Sequence, residues 1–118
     1  HAALKNKTSV VIRDTEKING KSFRVTEVEK KTFRGSVKLK KVTIGKNVIT
    51  IGKDAFRDCS SLKTITIRSV RLKTVGKNAI KGVHKKAQII CPKSKKKAYQ
   101  KLFVKKTGFE KKTMKIKQ

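Results

Sequence analysis

The sequence predicts an α/β solenoid: about three short repeats stacked into a parallel sheet with short helices, then a C-terminal capping helix and a closing strand. Three observations carry this reading. First, Val28, Phe33, Leu39, Val42 and Ile44 are each followed 23 positions later by Ile51, Phe56, Leu62, Ile65 and Ile67. Second, a further copy follows at a step of 24, with Val75, Ala79, Ile80, Ile89 and Cys91 beneath Ile51, Ala55, Phe56, Ile65 and Ile67; the added residue falls near Ser69 to Leu72. A fixed step of this size marks units that cannot bury their own apolar face and bury it against a neighbour. Third, Pro92 breaks the pattern and a lysine-rich segment with its own apolar residues follows.

Residues 1–20 read as one strand of a partial preceding repeat plus the start of a hairpin insertion. Val10-Val11-Ile12 matches the last strand of a unit, yet Val10 and Val42 are 32 residues apart, so extra chain intervenes. Asn19-Gly20, between Ile18 and Phe23, is a hairpin turn signal, because both central residues of a type I′ turn need positive φ. Gly20-Lys21-Ser22 has the ending of a phosphate-binding loop, but Thr15 stands where its earlier glycine belongs. The chain therefore reads as starting inside a solenoid already under way, as the C-terminal portion of a longer protein. His1, alone at the terminus, is compatible with a tag remnant and carries no argument.

The repeats span residues 21–92. In Leu62-x-x-Ile65-x-Ile67 the apolar positions alternate with Thr64, Thr66 and Arg68, as a strand with one buried face requires. Gly45, Gly52 and Gly76 mark turns. Ala55 and Cys59, four apart, are expected on one face of a helical turn, with Asp54 and Asp58 as solvated helix residues. Residues 93–118 form a basic cap: Ser94 is expected to cap a helix running to about Lys106 and ended by Gly108. Ala98 and Leu102, with Tyr99 and Phe103, supply its apolar stripe, and Met114 and Ile116 the closing strand.

The middle copy, Val48-Ile49-Thr50-Ile51-Gly52-Lys53-Asp54-Ala55-Phe56-Arg57-Asp58-Cys59-Ser60-Ser61-Leu62-Lys63-Thr64-Ile65-Thr66-Ile67, closely resembles the BspA-type leucine-rich repeat. The first copy departs from that pattern at Thr32 and Ser36, and the third at Ile80, Val83 and Lys86, as a terminal repeat often does. The resemblance implies a leucine-rich-repeat solenoid from a secreted or surface-displayed bacterial protein, used for adhesion or ligand binding. A scaffold of this kind leaves activity to its surface.

Catalysis and metal binding find little material. Of 118 residues seven are acidic, none between Cys59 and Phe109, and His84 is the only internal histidine. Ser60 and Ser61 lack a plausible base and orienting partner, so the chain is expected not to be an enzyme. One histidine and two cysteines supply no zinc set, and no cofactor is expected. Cys59 and Cys91 occupy apolar positions in different parts of their repeats and read as buried thiols, with a disulfide as the alternative in a secreted setting. There is no run of 18 apolar residues to span a membrane.

The charge is the functional signal. Thirty-four Lys and Arg against seven Asp and Glu give a formal net charge of +27, and a polyanion will bind such a chain. Lys93, Lys95, Lys96, Lys97 and Lys101, continued by Lys105 and Lys106, form the densest tract, with residues 93, 97 and 101 on one helix face and 96 and 105 close by. The second candidate surface is the solvent side of the sheet, where stacking would align Lys41, Thr64 and Gln88 in one row and Thr43, Thr66 and Ile90 in the next, with Arg68 at an edge. The plainer account of those threonines is that Thr suits a solvent-facing strand. The partners expected are an anionic polymer, teichoic acid or an acidic glycan, or a host or surface protein, bound by a monomer. Nucleic acid would be held nonspecifically at most, since lysine excess offers point charges and no base-reading or stacking motif is present. The alternatives are a structural spacer within a larger surface enzyme or adhesin, and a nucleic-acid-binding module.

Overall fold

In the computed structural model, which describes residues 7–118 and so leaves His1 outside the described residues, ten strands and one α-helix follow the repeat. They are β1 (Ser9–Ile12), β2 (Thr15–Ile18), β3 (Lys21–Arg24), β4 (Glu27–Val28), β5 (Lys41–Ile44), β6 (Thr50–Ile51), β7 (Thr64–Ile67), β8 (Thr74–Val75), β9 (Gln88–Ile90), α1 (Lys96–Leu102) and β10 (Lys115–Lys117). The alternating segments pair as a five-stranded sheet in the order β1-β5-β7-β9-β10, every pair parallel. Its register is the register of the repeat. Val42 lies opposite Ile65, and Ile65 opposite Ile89.

Each unit also carries a two-residue extended segment, and these pair as a smaller parallel sheet, β4-β6-β8. Between the two sheets lies one apolar core, in which Leu39, Val42, Ile44, Leu62, Ile65, Ile67 and Ile89 are buried. Phe33 and Phe56 stack with ring centroids 5.3 Å apart and planes 1° from parallel, the consequence of placing one aromatic per unit at a fixed step. The insertion forms an antiparallel hairpin of β2 and β3, with positive φ at Asn19 and Gly20 as the turn demands. All eight of its strand residues are exposed.

The helical turns expected in the repeats are turns of another kind. The segment from Lys53 to Asp58 contains no helix, and Asp54 and Asp58 have φ of 57° and 62°. These left-handed positions recur with the repeat, at Lys31, Asp54 and Asn78 and again at Gly35, Asp58 and Gly82. They turn the backbone so that alternate amides bond to the next unit, while those between them bond three residues back in their own segment. Phe33 N donates to Ala55 O at 2.8 Å, Phe56 N to Ala79 O at 2.7 Å and Ile80 N to Thr107 O at 2.8 Å. A local helix would spend those amides internally. Asp54 is accordingly buried and not solvated, whereas Asp58 is exposed.

The C-terminal segment, residues 93–118, also differs in detail from the sequence expectation. A 3-10 turn, Lys93–Lys95, precedes α1, and no side chain caps either, so Ser94 does not serve as a cap. The helix stops at Leu102, short of Lys106. Past that point Phe103 turns into the core, and the carbonyls of Lys106 and Thr107 accept from Asn78 N and Ile80 N, a direction that continued helix would forbid. Ala98 is exposed; Tyr99 and Phe103 are the buried anchors, with Leu102 half-buried. Met114 is buried beside β10, where Ile116 lies opposite Ile89.

Candidate functional site

Each parallel strand sends alternate residues inward, and the intervening ones face the open side. The register aligns Lys41, Thr64 and Gln88 in one row, extended to Ser9 and Lys115, and Thr43, Thr66 and Ile90 in the next, extended to Val11 and Lys117. Thr43, Thr64, Thr66 and Gln88 are half-buried, so their polar groups face solvent from a fixed backbone. Lys41 and Arg68 are exposed. Arg68 stands apart from the rows, across a cleft from Asp14, Glu16 and Lys17 at the base of the hairpin.

The lysines of residues 93–101 make a separate group. Lys93, Lys97 and Lys101 are exposed, while Lys95 and Lys96 are half-buried. Among the described residues the ion pairs are those of Arg57 with Asp54, at 3.5 Å, and with Asp58, at 3.9 Å. Among the described residues no carboxylate pairs within 4 Å with a lysine of either candidate surface.

A third basic surface escaped the sequence reading. Lys85, Lys86, Gln88, Lys112, Thr113 and Lys115 line a cleft of about 460 Å³ at the C-terminal corner of the sheet's open side. It joins the turn before β9 to the turn before β10, 27 residues later in the chain. The signal available in the sequence was the row itself, since continuing Lys41, Thr64 and Gln88 into the closing strand leads to Lys115.

Both cysteines are buried free thiols. Cys59 Sγ donates to Phe33 O at 3.0 Å, and Cys91 Sγ to Lys117 O at 3.4 Å, each across to a neighbouring unit. Burial pushes the Cys59 thiol up to about 11, the wrong direction for a nucleophile. Among the described residues no group of three His, Cys, Asp or Glu side chains could hold a metal ion. Nor is any helix there long and apolar enough to cross a membrane.

Parallel strands paired in the register of a 23- to 24-residue repeat, with backbone ladders between units, define a leucine-rich-repeat solenoid. The BspA type leucine-rich repeat region, a family described as six copies, matches residues 26–117, and the chain belongs to that family. No curated protein sequence matches the chain. Among solved structures it is similar to a leucine-rich cell surface protein of Faecalibacterium prausnitzii A2-165, with a TM-score of 0.60 and 22% identity over 75% of this chain. The match covers 30% of that protein's chain.

Proposed function

We propose that this chain is a non-catalytic binding module of a secreted or surface-displayed bacterial protein, retained on anionic polymers such as teichoic acid or an acidic glycan by its lysines. The observation that carries the reading is the charge left uncompensated over the C-terminal half. Residues 60–118 contain 19 Lys and Arg and one acid, Glu110. Such a surface attracts a polyanion at long range and gains by displacing its counterions. Twenty-eight of the 34 cations are lysine, which suits attraction to a flexible polymer more than bidentate reading of a defined partner. The threonine rows are where a specific glycan or a surface protein would add selectivity, since repeat proteins commonly bind on the open face of the sheet.

The test is binding to immobilised heparin and to teichoic acid across a series of salt concentrations. Affinity is expected to fall steeply and linearly in log–log form for both polymers. Salt-independent binding, or none at low salt, would remove charge as the cause.

A further inference from the structure

We infer that the cleft between the turns before β9 and β10 seats a phosphate or sulfate ester group of a polymer lying along the Lys41-Thr64-Gln88-Lys115 row. The inference rests on the polyanion reading above and gives it a location. Four lysines, Lys85, Lys86, Lys112 and Lys115, line the cleft, and no carboxylate does. Like charges gathered this way raise the local positive potential, and a bound anion relieves their repulsion.

The arrangement is set by two hydrogen-bonded turns. Lys86 N donates to His84 Nδ1 at 3.0 Å and Ala87 N to His84 O at 2.9 Å, fixing the first turn. In the second, Thr113 N and Met114 N both donate to Glu110 O. Lys115 N then donates to Ala87 O at 3.2 Å, which joins the two turns side by side. The four lysines and Thr113 are exposed, so an anion enters without displacing packed groups, and the Gln88 amide and Thr113 hydroxyl add neutral donors.

The chemistry favours a tetrahedral oxyanion. A carboxylate is best held by the planar fork of arginine, and no arginine lines the cleft. Separate ammonium groups on converging turns suit an acceptor whose oxygens point several ways. Nucleic acid fits less well, because no aromatic side chain lines the cleft to stack a base. Lys41 lies three strands away on the same row, about 14 Å at ordinary strand spacing. A polymer with regularly spaced esters can therefore engage both ends while its backbone crosses Thr64 and Gln88.

The experiment is amide chemical-shift mapping of the whole chain with two probes, a short heparin oligosaccharide and a glycerol phosphate oligomer, beside binding titrations of two variants. Shifts at Gln88, Thr113 and Lys115 are expected, and the probe that produces them identifies the source of the ester. Replacing Lys85, Lys86, Lys112 and Lys115 together by Gln should weaken binding on the order of tenfold near physiological salt and flatten the salt dependence. Replacing Lys93, Lys97 and Lys101 by Gln should leave the cleft shifts in place. Shifts confined to α1, or spread evenly over the surface, would overturn the cleft while leaving the polyanion reading standing. Wild-type protein that binds neither polymer would overturn both.

Discussion

The phenol of Tyr99 donates a 2.6 Å hydrogen bond to the backbone carbonyl of Ser69, thirty residues earlier. The phenol oxygen in turn accepts from Leu72 N at 3.3 Å. This is where the repeat step lengthens from 23 to 24, and the added residue leaves a buried carbonyl and amide that no adjacent strand pairs. The Ser69 hydroxyl completes the junction, donating to Val48 O at 2.6 Å and accepting from Arg71 N at 3.0 Å. The helix α1 is thus fastened to the irregularity in the solenoid. Tyr99→Phe keeps the ring and strands the two backbone groups, a loss of about 1–3 kcal/mol. Denaturant unfolding measures it, and an unchanged midpoint would show that the bonds contribute nothing.

Phe56 sits at the centre of the core, with Phe33 stacked on it. Truncation to Ala should cost about 3–5 kcal/mol, comparable with the whole stability of a small domain. Circular dichroism melting checks it; a Phe56→Ala variant with wild-type melting temperature would contradict the stacked core.

The left-handed turns make opposite predictions at two positions. Lys31 holds a φ of 63° with its side chain exposed, so Lys31→Gly should stabilise by roughly 1 kcal/mol by removing the strain of a side chain there. Gly108 has φ of 100°, and an added Cβ would collide with the backbone of Lys81. Gly108→Ala should therefore destabilise, by about 1–3 kcal/mol from the backbone alone. Paired thermal melts separate the two, and shifts of the same sign would count against the turn geometry.

The Cys59 thiol gives a pH dependence. Unfolded, it ionises near 9.0, while burial in the folded chain pushes it up to about 11. Between those values the unfolded chain binds fewer protons than the folded one, so stability is intact below pH 9 and falls as pH rises. A displacement of this size corresponds to at most about 3 kcal/mol. Burial raises Cys91 and Tyr99 as well, and both act in the same direction. The loss of stability between pH 8 and pH 11, measured by denaturant titration, should be smaller in Cys59→Ala than in wild type.

The period-two and period-23 patterns made the strands, their register, the Phe33–Phe56 stack and the Asn19-Gly20 turn legible, because each follows from which positions must be apolar or tolerate positive φ. The turns around Lys31 and Asp54 were not legible. Ala55 and Cys59 four apart also fit a helical turn, and the deciding amide bonds go to residues in the next unit. Ala98 misled for a related reason: its apolarity suggested burial, but α1 is oriented by Tyr99 reaching Ser69, which leaves Ala98 in solvent. The lysine tract at 93–101 could be read because it is contiguous. The cleft could not, because its lysines come from two turns brought together only by the parallel pairing of β10 with β9.

Binding by charge is tested most directly by titrating two variants with heparin and teichoic acid at low and high salt. One carries Gln at Lys93, Lys95, Lys96, Lys97 and Lys101, the other replaces Thr43, Thr64 and Thr66. The account predicts that the lysine variant weakens binding of both polymers at low salt, that high salt abolishes binding to wild type, and that the threonine variant binds them as wild type does. Binding that survives high salt and is lost only in the threonine variant would contradict it.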